Sequence, residues 1–129
     1  MSVVLDASAL LAFLNGETGA EMVEERIAEG ALMSSVNLSE VVAKLNEHGM
    51  PLSEIKNVVS DLGLQINPFD ETAAYVTGEL RKLTKQAGLS LGDRACLALG
   101  MRDSRVVLTA DHAWQDVVHI PGLTVELIR

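Results

Sequence analysis

Apolar residues in this chain follow two rhythms. Short β-branched runs alternate with longer stretches whose apolar positions recur every three or four residues. Val3-Val4-Leu5 is the first run and stops at Asp6, as a buried strand would. Ala7 to Leu14 predicts a helix ended by Asn15-Gly16. Ala20, Val23 and Ile27 give Thr18 to Glu29 a helical spacing, and Gly30 stops it. Ala31 to Val36 predicts the second strand, and Leu38, Val41, Val42 and Leu45 the next helix, ending near Gly49. Pro51 to Leu62 is a helix with proline at its start, and Leu64-Gln65-Ile66 a strand closed by Pro68. Asp70 to Ala87 predicts the longest helix, with Ala73, Val76, Leu80, Leu83 and Ala87 on its buried stripe. Ala95 to Met101 is apolar all round, which marks a helix buried on most sides. Val106-Val107-Leu108 and Leu123 to Ile128 complete the strands, the last of them at an edge.

Strands alternating with helices predict an α/β fold: a mostly parallel sheet covered on both faces, with every strand C-terminus on one side. The 129 residues fit one domain over 1–129. Hydrophobic residues at 48% and charged residues at 22% are those of a globular chain. The most apolar stretch, Ala7 to Leu14, is too short to span a bilayer, and no basic segment precedes it. Cys96 is the single cysteine, so no intrachain disulfide forms. A cytoplasmic setting is the expectation.

Charge adds a constraint. Eighteen acids against 10 bases leave a net charge of -8, which on its face disfavours a nucleic-acid partner. The charge is uneven, however. Residues 81–105 hold 6 bases (Arg81, Lys82, Lys85, Arg94, Arg102 and Arg105) and only 2 acids, a local excess of +4. That segment is the expected track for a phosphate backbone, with Arg81, Lys85 and Arg94 as candidate substrate contacts. Arg94 is also expected to form an ion pair. Glu17, Glu21, Glu24, Glu25 and Glu29 crowd one helical region, a poor surface for RNA and a plausible seat for a basic partner.

Four acids occupy similar places in this pattern. Asp6 follows the first strand, Glu40 opens the helix after the second, Asp93 opens the buried helix, and Asp111 follows the fourth strand. Each has an ordinary structural role available. Asp6 and Asp111 suit helix N-caps, and Asn37-x-x-Glu40 and Ser90-x-x-Asp93 have capping-box spacing. Together they are harder to explain as caps. In an open parallel sheet, ligands bind beyond the strand C-termini where strand order reverses. Carboxylates gathered there need protons or a cation. Oxygen donors without His or Cys suit Mg²⁺ or Mn²⁺, which can polarise a phosphoryl oxygen and activate water.

Four blocks in order resemble the PIN-domain ribonucleases, and within them VapC-like toxins of bacterial type II toxin–antitoxin modules. They are Val4-Leu5-Asp6-Ala7-Ser8-Ala9, Asn37-Leu38-Ser39-Glu40-Val41, Ser90-Leu91-Gly92-Asp93-Arg94-Ala95-Cys96-Leu97-Ala98-Leu99, and Leu108-Thr109-Ala110-Asp111 followed by Trp114. The resemblance covers essentially the whole chain. It implies a three-layer α/β/α fold with strand order 3-2-1-4-5. It also implies that Asp6, Glu40, Asp93 and Asp111 bind Mg²⁺ or Mn²⁺ and hydrolyse RNA, leaving a 5′-phosphate and a 3′-hydroxyl. Ser8 and Thr109 match positions that support the acids, and Asp116 a position where some relatives carry a further acid. A small antitoxin with a positive side chain for the acidic crevice, and a homodimer, are implied as partners. Cys96 reads as core rather than nucleophile, and Trp114 as packing.

Two other classes remain open at this point. One is a non-catalytic PIN-like module that only binds RNA or protein. The other is a different acidic-site α/β phosphohydrolase or a receiver domain, both poorer matches. A dehalogenase-type phosphatase needs an acid where Ser8 stands, and a receiver needs its phospho-accepting Asp near Pro68.

Overall fold

Period-two alternation in the strands divides the core into two layers, one on each side of a five-stranded sheet. In the computed structural model, which describes residues 2–129, the strands are β1 (Val3–Leu5), β2 (Ala31–Ser34), β3 (Gln65–Asn67), β4 (Val106–Thr109) and β5 (Thr124–Leu127). The helices are α1 (Ala7–Leu14), α2 (Ala20–Glu29), α3 (Ser35–Glu47), α4 (Leu52–Asp61), α5 (Glu71–Glu79), α6 (Arg81–Thr84) and α7 (Leu91–Arg102), with a 3₁₀ helix at His112–Val117. Every pairing is parallel, and the order is β3-β2-β1-β4-β5. This is the α/β class that the alternation of strands and helices predicts and the 3-2-1-4-5 order that the resemblance implies.

Val3, Leu5, Met33 and Leu108 point to one face, where they pack with Leu10, Val23, Val41 and Ile55 from α1 to α4. Val4, Leu32 and Val107 point to the other, against Leu97, Leu80 and Trp114. Trp114 is fully buried, which fits packing. The first and fourth strands are neighbours, with Val4 opposite Val107 and Leu5 opposite Leu108. The chain therefore winds outward from β1 through β2 to β3, then returns to the other side of β1. That reversal opens a crevice beyond the C-terminal ends of β1 and β4. Among the described residues, no helix is long and apolar enough to cross a membrane.

Three expectations need correction. The longest helix is α3, not the stretch from Asp70 to Ala87, which is interrupted at Leu80 and divided into α5 and α6. Its buried positions are Thr77, Leu80 and Thr84, while Val76 and Leu83 are 40% and 53% exposed. Thr84 survives burial because its hydroxyl donates to the Leu80 carbonyl (2.9 Å). Secondly, α3 starts at Ser35 and is capped by Ser34, so Glu40 lies in its second turn and Asn37-x-x-Glu40 is not a capping box. Thirdly, Glu17 precedes α2 and pairs with Arg129 (2.9 Å), leaving Glu21, Glu24, Glu25 and Glu29 as the exposed acids of α2.

Candidate active site

Beyond β1 and β4 the two strand ends are laced together through one carboxylate. Asp6 caps α1, its Oδ1 accepting the Ala9 N–H (2.8 Å). Ser8 donates its hydroxyl to the same carboxylate (2.8 and 2.9 Å to the two oxygens), and Thr109 donates to Oδ2 (2.5 Å). These hydroxyls also accept: Thr109 Oγ1 takes the Asp111 N–H (3.0 Å) and Ser8 Oγ the Ala110 N–H (2.9 Å). Asp6 is 4% exposed. Burial pushes its carboxyl up from 3.8 to about 6, against the pull of the Thr109, Ala9 and Ser8 hydrogen bonds, and the charge of Asp93 adds a smaller upward push.

The other three acids come from separate elements. Glu40 Oε1 accepts from Asn37 Nδ2 (2.8 Å), and Asn37 Nδ2 also donates to the Gly92 carbonyl (3.0 Å). Asn37 thus stitches the second turn of α3 to the first turn of α7. Asp93 closes a true capping box at the start of α7. Ser90 N–H donates to its Oδ2 (2.9 Å), and its own N–H donates to Ser90 Oγ (3.2 Å). Asp111 caps the 3₁₀ helix through Oδ1, which accepts the Ala113 N–H (2.9 Å).

Asp6, Glu40, Asp93 and Asp111 line one cavity of about 410 Å³. Glu47, one further α3 turn pair along from Glu40, adds a fifth acid to its wall. Among the described residues, no three His, Cys, Asp or Glu side chains are drawn together as a finished metal-ligand cluster. Glu40, Asp93 and Asp111 are instead each held within their own segment, and Asp6 is held by Ala9, Ser8 and Thr109. Yet Glu40 Oε2, Asp93 Oδ1 and Asp111 Oδ2 accept no hydrogen bond among the described residues. Each of these acids therefore has one oxygen held and one without a hydrogen bond. In kind, the donor set is that of a hard divalent cation.

The candidate substrate contacts lie elsewhere. Arg81 and Lys85 are exposed around α6 and do not line the cavity. Arg94 forms no ion pair among the described residues; its guanidinium donates to the Thr77 carbonyl (3.0 Å) and ties α7 to α5. Arg102 and Arg105 pair with Asp103 (3.0 and 3.9 Å) at the far end of α7, about 13 Å along the helix from Asp93. The basic segment is therefore not one track. Asp116 is exposed and lines a separate groove with Leu83, Gln86, Ala87 and His119. The base that does line the acidic cavity is Lys44, one turn after Glu40. Sequence reasoning missed it and Glu47; their spacing of four and seven from Glu40 was the available signal.

Cys96 is fully buried behind the acids. Burial, then the charges of Asp6, Asp93 and Glu40, push its thiol up. A thiol so placed should resist alkylation in the native protein. Labelling by iodoacetamide at pH 8, followed by mass spectrometry, should modify it only after denaturation. Rapid native labelling would contradict this.

The family model for the PIN domain matches residues 3–120, a span containing all four acids. The chain belongs to the PIN-domain family. No curated protein matches this PIN domain by sequence. Several solved structures share its fold. VapBC2 from Rickettsia felis, bound to a DNA fragment from their promoter, aligns with a TM-score of 0.75 at 19% identity over 98% of each chain. DNA-bound VapBC from Salmonella typhimurium aligns with a TM-score of 0.73 at 19% identity, covering 100% of this chain and 99% of that one. VapBC-5 from Mycobacterium tuberculosis, a member of the VapBC family of toxin-antitoxin systems, gives 0.59 at 19% identity over 99% and 98%. At these identities the likeness is one of fold.

Proposed function

We propose that this PIN domain is a divalent-metal-dependent endoribonuclease and the toxin of a type II toxin–antitoxin pair. The observation that carries the proposal is the gathering of Asp6, Glu40, Asp93 and Asp111, from four elements, around one cavity. The VapBC fold relatives support the toxin assignment. Asp6, Glu40, Asp93 and Asp111 would hold Mg²⁺ or Mn²⁺, which supplies a Lewis acid for a phosphoryl oxygen and lowers the pKa of water. Ser8 and Thr109 fix the Asp6 carboxylate, and Asn37 fixes one oxygen of Glu40. The capping box of α7 fixes one oxygen of Asp93. Among the described residues no His lines the cavity, so in this reading proton transfer falls to carboxylates and solvent. On the outer surface, Glu21, Glu24, Glu25 and Glu29 of α2 are exposed and form no ion pair among the described residues. That face complements a basic antitoxin segment.

Incubation of end-labelled RNA with the purified protein tests both halves of the proposal. Cleavage is expected with Mg²⁺ and not with EDTA. It should fall by on the order of 10³-fold in Asp93→Asn. It should also stop when the product of an adjacent small reading frame is added. Cleavage that survives EDTA and Asp93→Asn would refute the metal-site assignment.

A further inference from the structure

An acidic cavity that takes a polyanion needs a positive group at its mouth, and the basic segment does not provide one. We propose that Lys44 binds a backbone phosphate of single-stranded RNA at the entrance to the cavity, with the groove between α1 and α3 continuing from that point. The identity of the polyanion rests on the ribonuclease proposal; the location of its cationic contact does not.

Four observations place Lys44 in this role. It is the only Lys or Arg lining the acidic cavity among the described residues. It also lines the adjoining groove of about 380 Å³, with Leu11, Asn15, Leu45, His48 and Met50, so its side chain marks where the two spaces meet. It is exposed and forms no ion pair among the described residues, although Glu40 and Glu47 share its helix face. Glu40 is turned toward α7 instead: Asn37 holds its Oε1, and its carboxylate lies against Gly92, with no ion pair to Lys44 among the described residues. Finally, side chains on a helix lean toward its N-terminus. Glu40 stands one turn before Lys44 and lines the same cavity, so this lean favours a Lys44 stem directed toward it. A flexible ammonium with three donors and no fixed protein partner is suited to a phosphate oxygen.

A bland alternative is that Lys44 only balances Glu40 and Glu47. The two roles differ in their salt dependence, because a phosphate contact releases counterions from the RNA and an internal pair does not. Binding of a short 5′-fluorescein-labelled single-stranded RNA is measured by anisotropy, with Ca²⁺ replacing Mg²⁺, across a series of KCl concentrations. Lys44→Gln is expected to weaken binding about fivefold and to reduce the slope of log K against log salt by about 0.7. Lys44→Arg should keep both. Circular dichroism confirms that each variant is folded. Unchanged affinity in Lys44→Gln overturns the proposal. So does weakened binding with an unchanged slope, which is the mark of an internal charge-balancing role. Wild-type cleavage with Mg²⁺ is run beside these measurements. Its absence counts against the ribonuclease proposal alone, because the binding series decides the role of Lys44 without it.

Discussion

Asp6→Asn should abolish RNA cleavage and still raise the melting temperature of the metal-free protein above pH 6. If Asp6 holds the metal as proposed, the loss of cleavage is expected on the order of 10³-fold. The gain in stability follows from burial. The Asp6 carboxyl sits at about 6 in the folded chain against 3.8 as its ordinary value, so the folded state holds the proton more tightly than the unfolded state. Below about pH 4 the group is neutral in both states and carries no penalty. Stability falls as pH rises through 6, and above that the folded state bears the full cost, on the order of 3 kcal/mol. Asn removes the charge and keeps an acceptor for the Ala9 N–H. In EDTA at pH 8, the variant should melt roughly 5–10 °C above wild type. The difference should shrink toward pH 4.5. Thermal melts across that pH range measure it, and a variant less stable than wild type at every pH would show that Asp6 is not a strained site. Such an exchange of stability for function is common where a site gathers like charges.

The parts of the fold legible in the sequence are those where burial and backbone signals agree. Val3-Val4-Leu5 and Val106-Val107-Leu108 are short and β-branched, an acid follows each within three residues, and both are interior strands. The interruption at Leu80 was not legible. Hydrophobic spacing puts Val76 and Leu83 inside, whereas the structure buries Thr77 and Thr84. Thr84 satisfies its hydroxyl within its own helix, so it enters the core at little cost, and a hydrophobic pattern gives it no weight. Arg94 adds to this by holding the Thr77 carbonyl from across the α5–α7 contact, a partner that no local pattern contains.

At the site, the residue types were legible and their surroundings less so. Ser90-x-x-Asp93 forms the capping box its spacing suggests, because Ser90 is the N-cap of α7. Asn37-x-x-Glu40 has the same spacing and does not, because Ser34 takes the cap three residues earlier. Asn37 is free to bridge α3 and α7 instead, and nothing in its own segment announces the Gly92 carbonyl it reaches. Charge counts misled in a related way. The sum over residues 81–105 is positive, yet Asp103 takes two of those bases and a carbonyl takes a third. The cavity's own base, Lys44, lies in the acidic part of the chain, where a sum conceals it.

Gly92→Ala is expected to lower RNA cleavage by about 100-fold while leaving the fold as stable as before or slightly more so. A Cβ at Gly92 would lie 2.5 Å from Glu40 Oε2 and 2.6 Å from its Cδ, so the carboxylate must move. The backbone need not, because Glu40 is a flexible side chain held by a single hydrogen bond from Asn37. In the proposed site, displacing the Glu40 carboxylate by about 1 Å should cost on the order of 10²-fold in rate. Alanine also favours a helix over glycine by about 1 kcal/mol, which offsets the lost hydrogen bond. Gly100 on the same helix supplies the contrast. A Cβ there would strike the Val107 side chain and lie 3.3 Å from the Arg105 carbonyl, where β4 packs beneath α7. Gly100→Ala should therefore lower the melting temperature, and the cleavage rate of its folded fraction should stay near wild type. Initial cleavage rates and thermal melts of the two variants separate the effects. If Gly92→Ala cleaves at the wild-type rate, then the position of Glu40 that Asn37 and Gly92 define is not needed for cleavage.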